Sequence, residues 1–265
     1  ACRRRASFWL LCCRWSCPDP MGKRYIKTRG LLCIALLVLL ILFVLDRQFP
    51  IQLQQKDFST VVTARDGTPL RAFADEKGVW RYPANLNDVS GLYIQALLTY
   101  EDRWFYFHPG VNPVSIVRAC FQNMAAGKII SGGSTLTMQV ARMINPIDRT
   151  IWGKCIQMLR AVQLEWHYSK DEILSAYINL APFGANIEGV QTAAFSWLGK
   201  HTAELSHAEA ALLAVLPQAP SFCRPDRHPG RAQKARDKVL DRMVKFSVWP
   251  EHTVSAAKKE PILAN

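Results

Sequence analysis

The chain has 265 residues, 49% of them hydrophobic, and a net charge of +12 at neutral pH. That is room for one large domain or two small ones around a sizeable core. Residues 1–30 hold eight Lys and Arg against Asp19 alone, a net of +7 that leaves +5 for the other 235; charge massed beside an apolar run points to membrane topology and away from nucleic acid.

The basic tail spans residues 1–29. It carries no Met before Met21, and Met21-Gly22-Lys23-Arg24 reads as the better start, with residues 1–20 as an upstream extension. The apolar run Leu31–Leu45 follows. With its flanks it predicts one transmembrane anchor over residues 30–47, basic side in the cytoplasm. Asp46-Arg47-Gln48-Phe49-Pro50 is unsuited to signal cleavage, so the body is expected outside the inner membrane. A small juxtamembrane β element is expected over residues 48–86. Its hairpin is signalled by Asp66-Gly67 between β-prone runs, with a third short strand at Val79–Tyr82. Five of the eight cysteines lie in the first 33 residues, and Cys120, Cys155 and Cys223 fit neither a disulfide framework nor metal-ligand spacing.

Residues 87–265 read as mainly α. Leu92–Tyr100 has a helical face, and Asn112-Pro113 opens a helix that Gly127 closes. Leu136–Ile144 stops at Asn145-Pro146. Ile151–His167 carries Trp152, Ile156, Leu159, Val162 and Trp166 at helical spacing. Ser169–Glu172 and Ser206–Glu209 are capping boxes, and a last amphipathic helix runs from Arg231 to Lys245.

Two stretches carry chemistry. Residues 101–110 read E-D-R-W-F-Y-F-H-P-G. A carboxylate between a buried helix end and an aromatic wall has its charged form desolvated, which raises its pKa toward that of a working general base. Residues 131–143 read S-G-G-S-T-L-T-M-Q-V-A-R-M. Gly132-Gly133 at a helix start would leave backbone N–H groups open to an anionic phosphate, and no Walker sequence follows.

Together the stretches resemble the peptidoglycan glycosyltransferases, glycosyltransferase family 51, the polymerising module of class A penicillin-binding proteins. Glu101, Asp102, Phe105, His108 and Gly110 fit the family's E-D-x-x-F-x-x-H-x-G. Gly132, Gly133, Ser134, Thr135, Leu136, Thr137 and Gln139 fit its G-G-S-T-[IL]-T-Q-Q-x-x-K-N, whereas Met138, Arg142 and Met143 depart. Y-I-N-L-A-P-F-G at residues 177–184, residues 187–200 and L-P-Q-A-P-S at 216–221 are further family-like stretches.

The resemblance implies a lysozyme-like helical glycosyltransferase domain with a membrane-embedded groove. Its substrate would be lipid II and the growing lipid-linked strand, and its other partners membrane lipids and cell-wall synthesis proteins. Glu101 would be the base on the acceptor hydroxyl, inverting the anomeric centre as an inverting glycosidase does with water. Ser134, Thr135 and Gln139 would line the groove, and Arg142, Arg149 and Lys154 would hold pyrophosphate. Asp102, Phe105, His108, Gly132 and Gly133 would support them. Gln157 stands where the family's R-K-x-x-E has its second Glu, which puts a two-acid mechanism in question. No cofactor is fixed by the sequence; a divalent cation, magnesium or manganese, is the candidate, with no metal ligands assigned. Glu165 and Glu188 are candidate substitute acids, each with a solvated helix acid as the plain alternative. A lipid II-binding scaffold and a lysozyme-like hydrolase are the rival readings. Ser255-Ala256-Ala257-Lys258 imitates the S-x-x-K of a transpeptidase without its partner motifs, so no transpeptidase domain is expected in this chain.

Overall fold

The computed structural model describes residues 36, 37, 40, 41, 43, 44, 46–53, 58–63, 65, 69–128, 132–148 and 150–262. The chain divides into two compact units, Ala1–Pro50 and Ile51–Asn265. In the first, residues 36–48 are helical where described, with Leu36, Leu37, Leu40, Ile41, Phe43 and Val44 exposed. The basic tail and much of the expected anchor lie outside the described residues. No helix among those described is long and apolar enough to cross a membrane.

The second unit opens with β1 (Thr60–Thr63) and β2 (Pro69–Phe73), an antiparallel pair. This is the pairing expected of the hairpin, whose Asp66-Gly67 tip is outside the described residues. β3 (Trp80–Arg81) does not join them. It pairs in parallel with β5 (Ile187–Glu188), which pairs antiparallel with β4 (Pro182–Gly184). Buried Arg81 explains the difference: it donates to Glu188 from Nε and Nη2 at 3.1 and 2.6 Å, so the strand is drawn to its charge partner. That ion pair also corrects the reading of Glu188 as a substitute acid.

Nine helices follow in the described part: α1 (Gly91–Glu101), α2 (Pro113–Ala126), α3 (Leu136–Ile144), α4 (Ile151–His167), α5 (Lys170–Leu180), α6 (Val190–Leu198), α7 (His207–Val215), α8 (Pro229–Lys245) and α9 (Glu251–Lys259). Their ends follow local chemistry. Asn112 accepts from Ser115 N–H, Pro113 fills the first turn and Gly127 closes α2 in the left-handed region. Both capping boxes form, Ser169 with Glu172 and Ser206 with Glu209.

α7 is apolar on all sides, with Ala208, Ala210 and every residue from Ala211 to Val215 buried, as a central helix must be. α1, α8 and α9 pack against it, while α3, α4 and α5 form a second packed group. Together they place the C-terminus of α1 beside α3.

α2 and α4 present apolar residues to the outside. Val114, Val117, Phe121 and Met124 are exposed on α2; Ile151, Trp152, Leu159 and Trp166 are exposed on α4. The apolar stripe of α4 thus lies largely on its outer face. Its inner face is Gly153, Gln157, Ala161 and Leu164.

Candidate active site

The first motif is welded to the second through Asp102. This buried carboxylate meets Nε2 of buried His108 at 2.9 and 3.0 Å and accepts from Leu136 N–H at 3.0 Å. Thr135 caps α3 by accepting from Met138 N–H at 3.2 Å, and its hydroxyl donates to the Gly110 carbonyl at 2.5 Å. Gly110 sits at φ +81, and a Cβ there would lie 2.5 Å from the Ala161 carbonyl oxygen, so this turn admits glycine alone.

At the start of α3 the Leu136 and Met138 amides are spent on Asp102 and Thr135. Thr135 is buried, with its hydroxyl turned to the Gly110 carbonyl. Gly133 serves packing: a Cβ would lie 2.9 Å from Ile116 Cα of α2, whereas Gly132 has open space. Phe105 is buried against His108 in an edge contact, and the Lys170 ammonium lies 4.5 Å from its ring centroid.

Glu101 ends α1. Its Oε2 accepts from Gln139 Nε2 at 2.8 Å, while Oε1 is sealed from solvent with no hydrogen-bond partner. Burial pushes its pKa up. The amides of Gln139 and Gln218 and the charge of Arg242 pull it partly back, and Asp102 adds a small push upward. The C-terminal end of a helix disfavours negative charge as well. The result is a carboxylate with one oxygen fixed and the other unspent, raised toward the range where a base operates.

A second group lies between α3 and α4. Lys154 Nζ donates to Ser134 Oγ at 2.5 Å and to Gln157 Oε1 at 3.0 Å, and Gln157 Nε2 donates to the Met138 carbonyl at 2.5 Å. Gln157 is only 5% exposed, and both ends of its amide are used. Arg142, Ile147, Asp148, Thr150, Gly153, Lys154 and Gln157 line a cleft of about 260 Å³. Burial, and then the Arg142 cation, lower the pKa of Lys154. Unpaired cations in a half-desolvated cleft favour an anion. Arg149, expected here, lies outside the described residues.

A divalent cation does not fit this cleft. Its buried donor is a neutral amide already held by an ammonium, and its one carboxylate, Asp148, is exposed. No group of three or more His, Cys, Asp or Glu suited to a metal occurs among the described residues.

Glu165 is neither a spare acid nor a solvated one. It accepts from Thr137 Oγ1 and from Lys170 Nζ, both at 2.6 Å, and Lys170 also donates to the His108 carbonyl at 2.7 Å. The sequence reading missed Lys170, which ties α5 to both motifs, and missed Gln218 beside Glu101. The L-P-Q-A-P-S stretch marked Gln218; nothing local marked Lys170.

A family model described as Transglycosylase matches residues 66–244. Penicillin-binding protein 1C of Escherichia coli K12 is 54% identical over 217 residues, 82% of this chain and 28% of that protein. Penicillin-binding protein 1A of Aquifex aeolicus is 39% identical over 181 residues, 68% of this chain and 25% of that protein. A crystal structure of penicillin-binding protein 1A from Haemophilus influenzae aligns with a TM-score of 0.46 and 24% identity, over 81% of this chain and 22% of that one. The chain thus spans roughly a quarter of the length of the relatives it matches.

Proposed function

The chain belongs to the transglycosylase family, and we propose that it is a peptidoglycan glycosyltransferase that polymerises lipid II into β-1,4-linked strands. The observation that carries this reading is the pairing, across α3, of a sealed carboxylate at Glu101 with the cationic cleft of Arg142 and Lys154. A transfer from a sugar pyrophosphate needs both: a proton acceptor for the attacking hydroxyl and cations for the departing diphosphate.

In this mechanism the Glu101 carboxylate takes the proton of the acceptor's 4-hydroxyl. The hydroxyl oxygen bonds to the donor's anomeric carbon with inversion, and the bond from that carbon to the pyrophosphate oxygen breaks. Gln139 fixes one oxygen of the carboxylate. Lys154, aimed by Ser134 and Gln157, and Arg142 neutralise the leaving diphosphate; Arg149 is assigned to the same task. Gln157 acts by orienting Lys154, so one acid suffices for proton transfer.

The exposed apolar faces of α2 and α4 support a body dipped into the bilayer where a polyprenyl substrate resides. With the apolar run at 31–45, they favour an inner-membrane protein whose N-terminus is cytoplasmic and whose catalytic unit is periplasmic.

Incorporation of labelled lipid II by the detergent-solubilised chain tests this reading against Glu101→Gln. Polymer from the wild type and none from the variant is the expected result. Binding of lipid II without polymer would make the chain a scaffold, and shortening of existing strands would make it a hydrolase.

A further inference from the structure

Arg242 belongs to neither motif, yet α8 brings it to the base. It is half-buried in the last turn of that helix. Its guanidinium carbon lies 5.6 Å from the ring centroid of Tyr100, the residue before Glu101, and 5.5 Å from that of Phe246. Its Nε is buried and makes no hydrogen bond. Arg236, two turns earlier on the same helix, shows how a structural arginine is satisfied. It donates to Asp237 and to the carbonyls of Lys258 and Glu260. Arg242 has no such set among the described residues. Two further cations, Arg103 and Arg118, act against it, while Tyr100 and Glu101 favour its charge.

A guanidinium desolvated against aromatic faces and beside like charges is costly unless it meets an opposite charge. Glu101 is the negative charge that favours it, beyond ion-pair distance. Tyr100 extends the link, because its hydroxyl donates to Gln218 Oε1 at 3.2 Å and Gln218 stands beside the same carboxylate. Arg242, Tyr100, Gln218 and Glu101 thus form one connected group drawn from α8, α1 and the turn after α7.

We propose that Arg242 is a positioning residue for the transfer reaction, setting Tyr100 and Gln218 beside Glu101 and holding that carboxylate in its proton-accepting form. The proposal rests on the reading of Glu101 as the base. The other groups acting on Glu101 are Gln139 from α3 and Asp102 at the end of α1; Tyr93 and Tyr100 of α1 and Tyr177 of α5 feel its charge in turn. Of these, Arg242 is the one cation, so its removal has a definite sign.

The test compares wild type, Arg242→Gln and Arg242→Lys in the full chain. The Glu101 carboxyl is titrated by carbon-13 NMR in glutamate-labelled protein, assigned as the resonance absent from Glu101→Gln, and lipid II kinetics are recorded alongside. In Arg242→Gln the midpoint should rise by about 0.5–1 unit. kcat should fall about tenfold, with KM within about twofold. Arg242→Lys should restore the midpoint while recovering only part of kcat, because it keeps the charge and loses the flat stacking surface. An unmoved midpoint overturns the proposal, as does a raised midpoint with unchanged kcat. If the wild type makes no polymer, the transferase reading fails; the Arg242 proposal, which rests on it, then falls as well, whereas an unmoved midpoint beside active polymerisation sinks the Arg242 proposal alone.

Discussion

From the same nine-residue helix, α3, two side chains serve opposite electrostatic ends. Gln139 reaches one oxygen of a buried carboxylate beside which the Gln218 amide stands, while Arg142 lines a cleft whose half-buried cation, Lys154, meets only a hydroxyl and an amide. Burial makes each charged form costly, so Glu101 is biased toward gaining a proton and Lys154 toward losing one. The comparison teaches a division of labour. One region handles the proton and the other the departing anion, and the neutral amide of Gln157 keeps a second acid out of the anion's place.

The largest break in this comparison should come from Glu101→Gln. It removes the proton acceptor but keeps the bond partner for Gln139, so initial rates of lipid II polymerisation should fall by about 10³-fold. Lys154→Met should cost about 10²-fold in kcat, the scale of one lost charge-stabilising donor. Its wild-type counterpart should lose activity on the alkaline side at a pH below the ordinary lysine value of about 10.4. Asp102→Ala strikes the frame that both regions share. It strands His108 and the Leu136 amide, and urea unfolding should show a loss of about 2–4 kcal/mol.

Gln157→Glu sharpens the contrast with a smaller effect. It keeps an oxygen for Lys154 but loses the N–H that serves the Met138 carbonyl, and it puts negative charge beside a leaving diphosphate. The rate should change by less than about tenfold and should not rise. The smallest effect concerns stability. A carboxyl whose pKa is raised on folding binds its proton more tightly in the native state. Native stability is therefore lost as pH climbs from the ordinary glutamate range through the raised value. Glu101→Gln should then melt at a higher temperature than wild type near neutral pH, with the gap closing on acidification.

Much of the fold was legible because helix ends are written locally. Asn112-Pro113, Gly127 and the two capping boxes each carry their own hydrogen-bond partner within a few residues. The partner of β3 was not legible because strand pairing is decided by distant residues, here Glu188 for Arg81. The stripe on α4 was legible as a stripe, but which side it faces depends on what surrounds it. In the site, Glu101, Gln139 and Lys154 were each marked by the resemblance to the family's motifs. Thr135 is a helix cap in the structure, a role that looks like a substrate-binding hydroxyl in sequence. Lys170 and Arg242 were invisible, since each is brought in by packing between helices far apart in the chain.

The central claim is that one carboxylate, raised by burial, runs the proton transfer. The most direct test is the acidic limb of the pH dependence of kcat/KM for wild-type lipid II polymerisation. The account predicts a limb of unit slope, one proton, with its midpoint above the ordinary glutamate value of about 4.3. A slope of two, or a midpoint at the ordinary value, would contradict it.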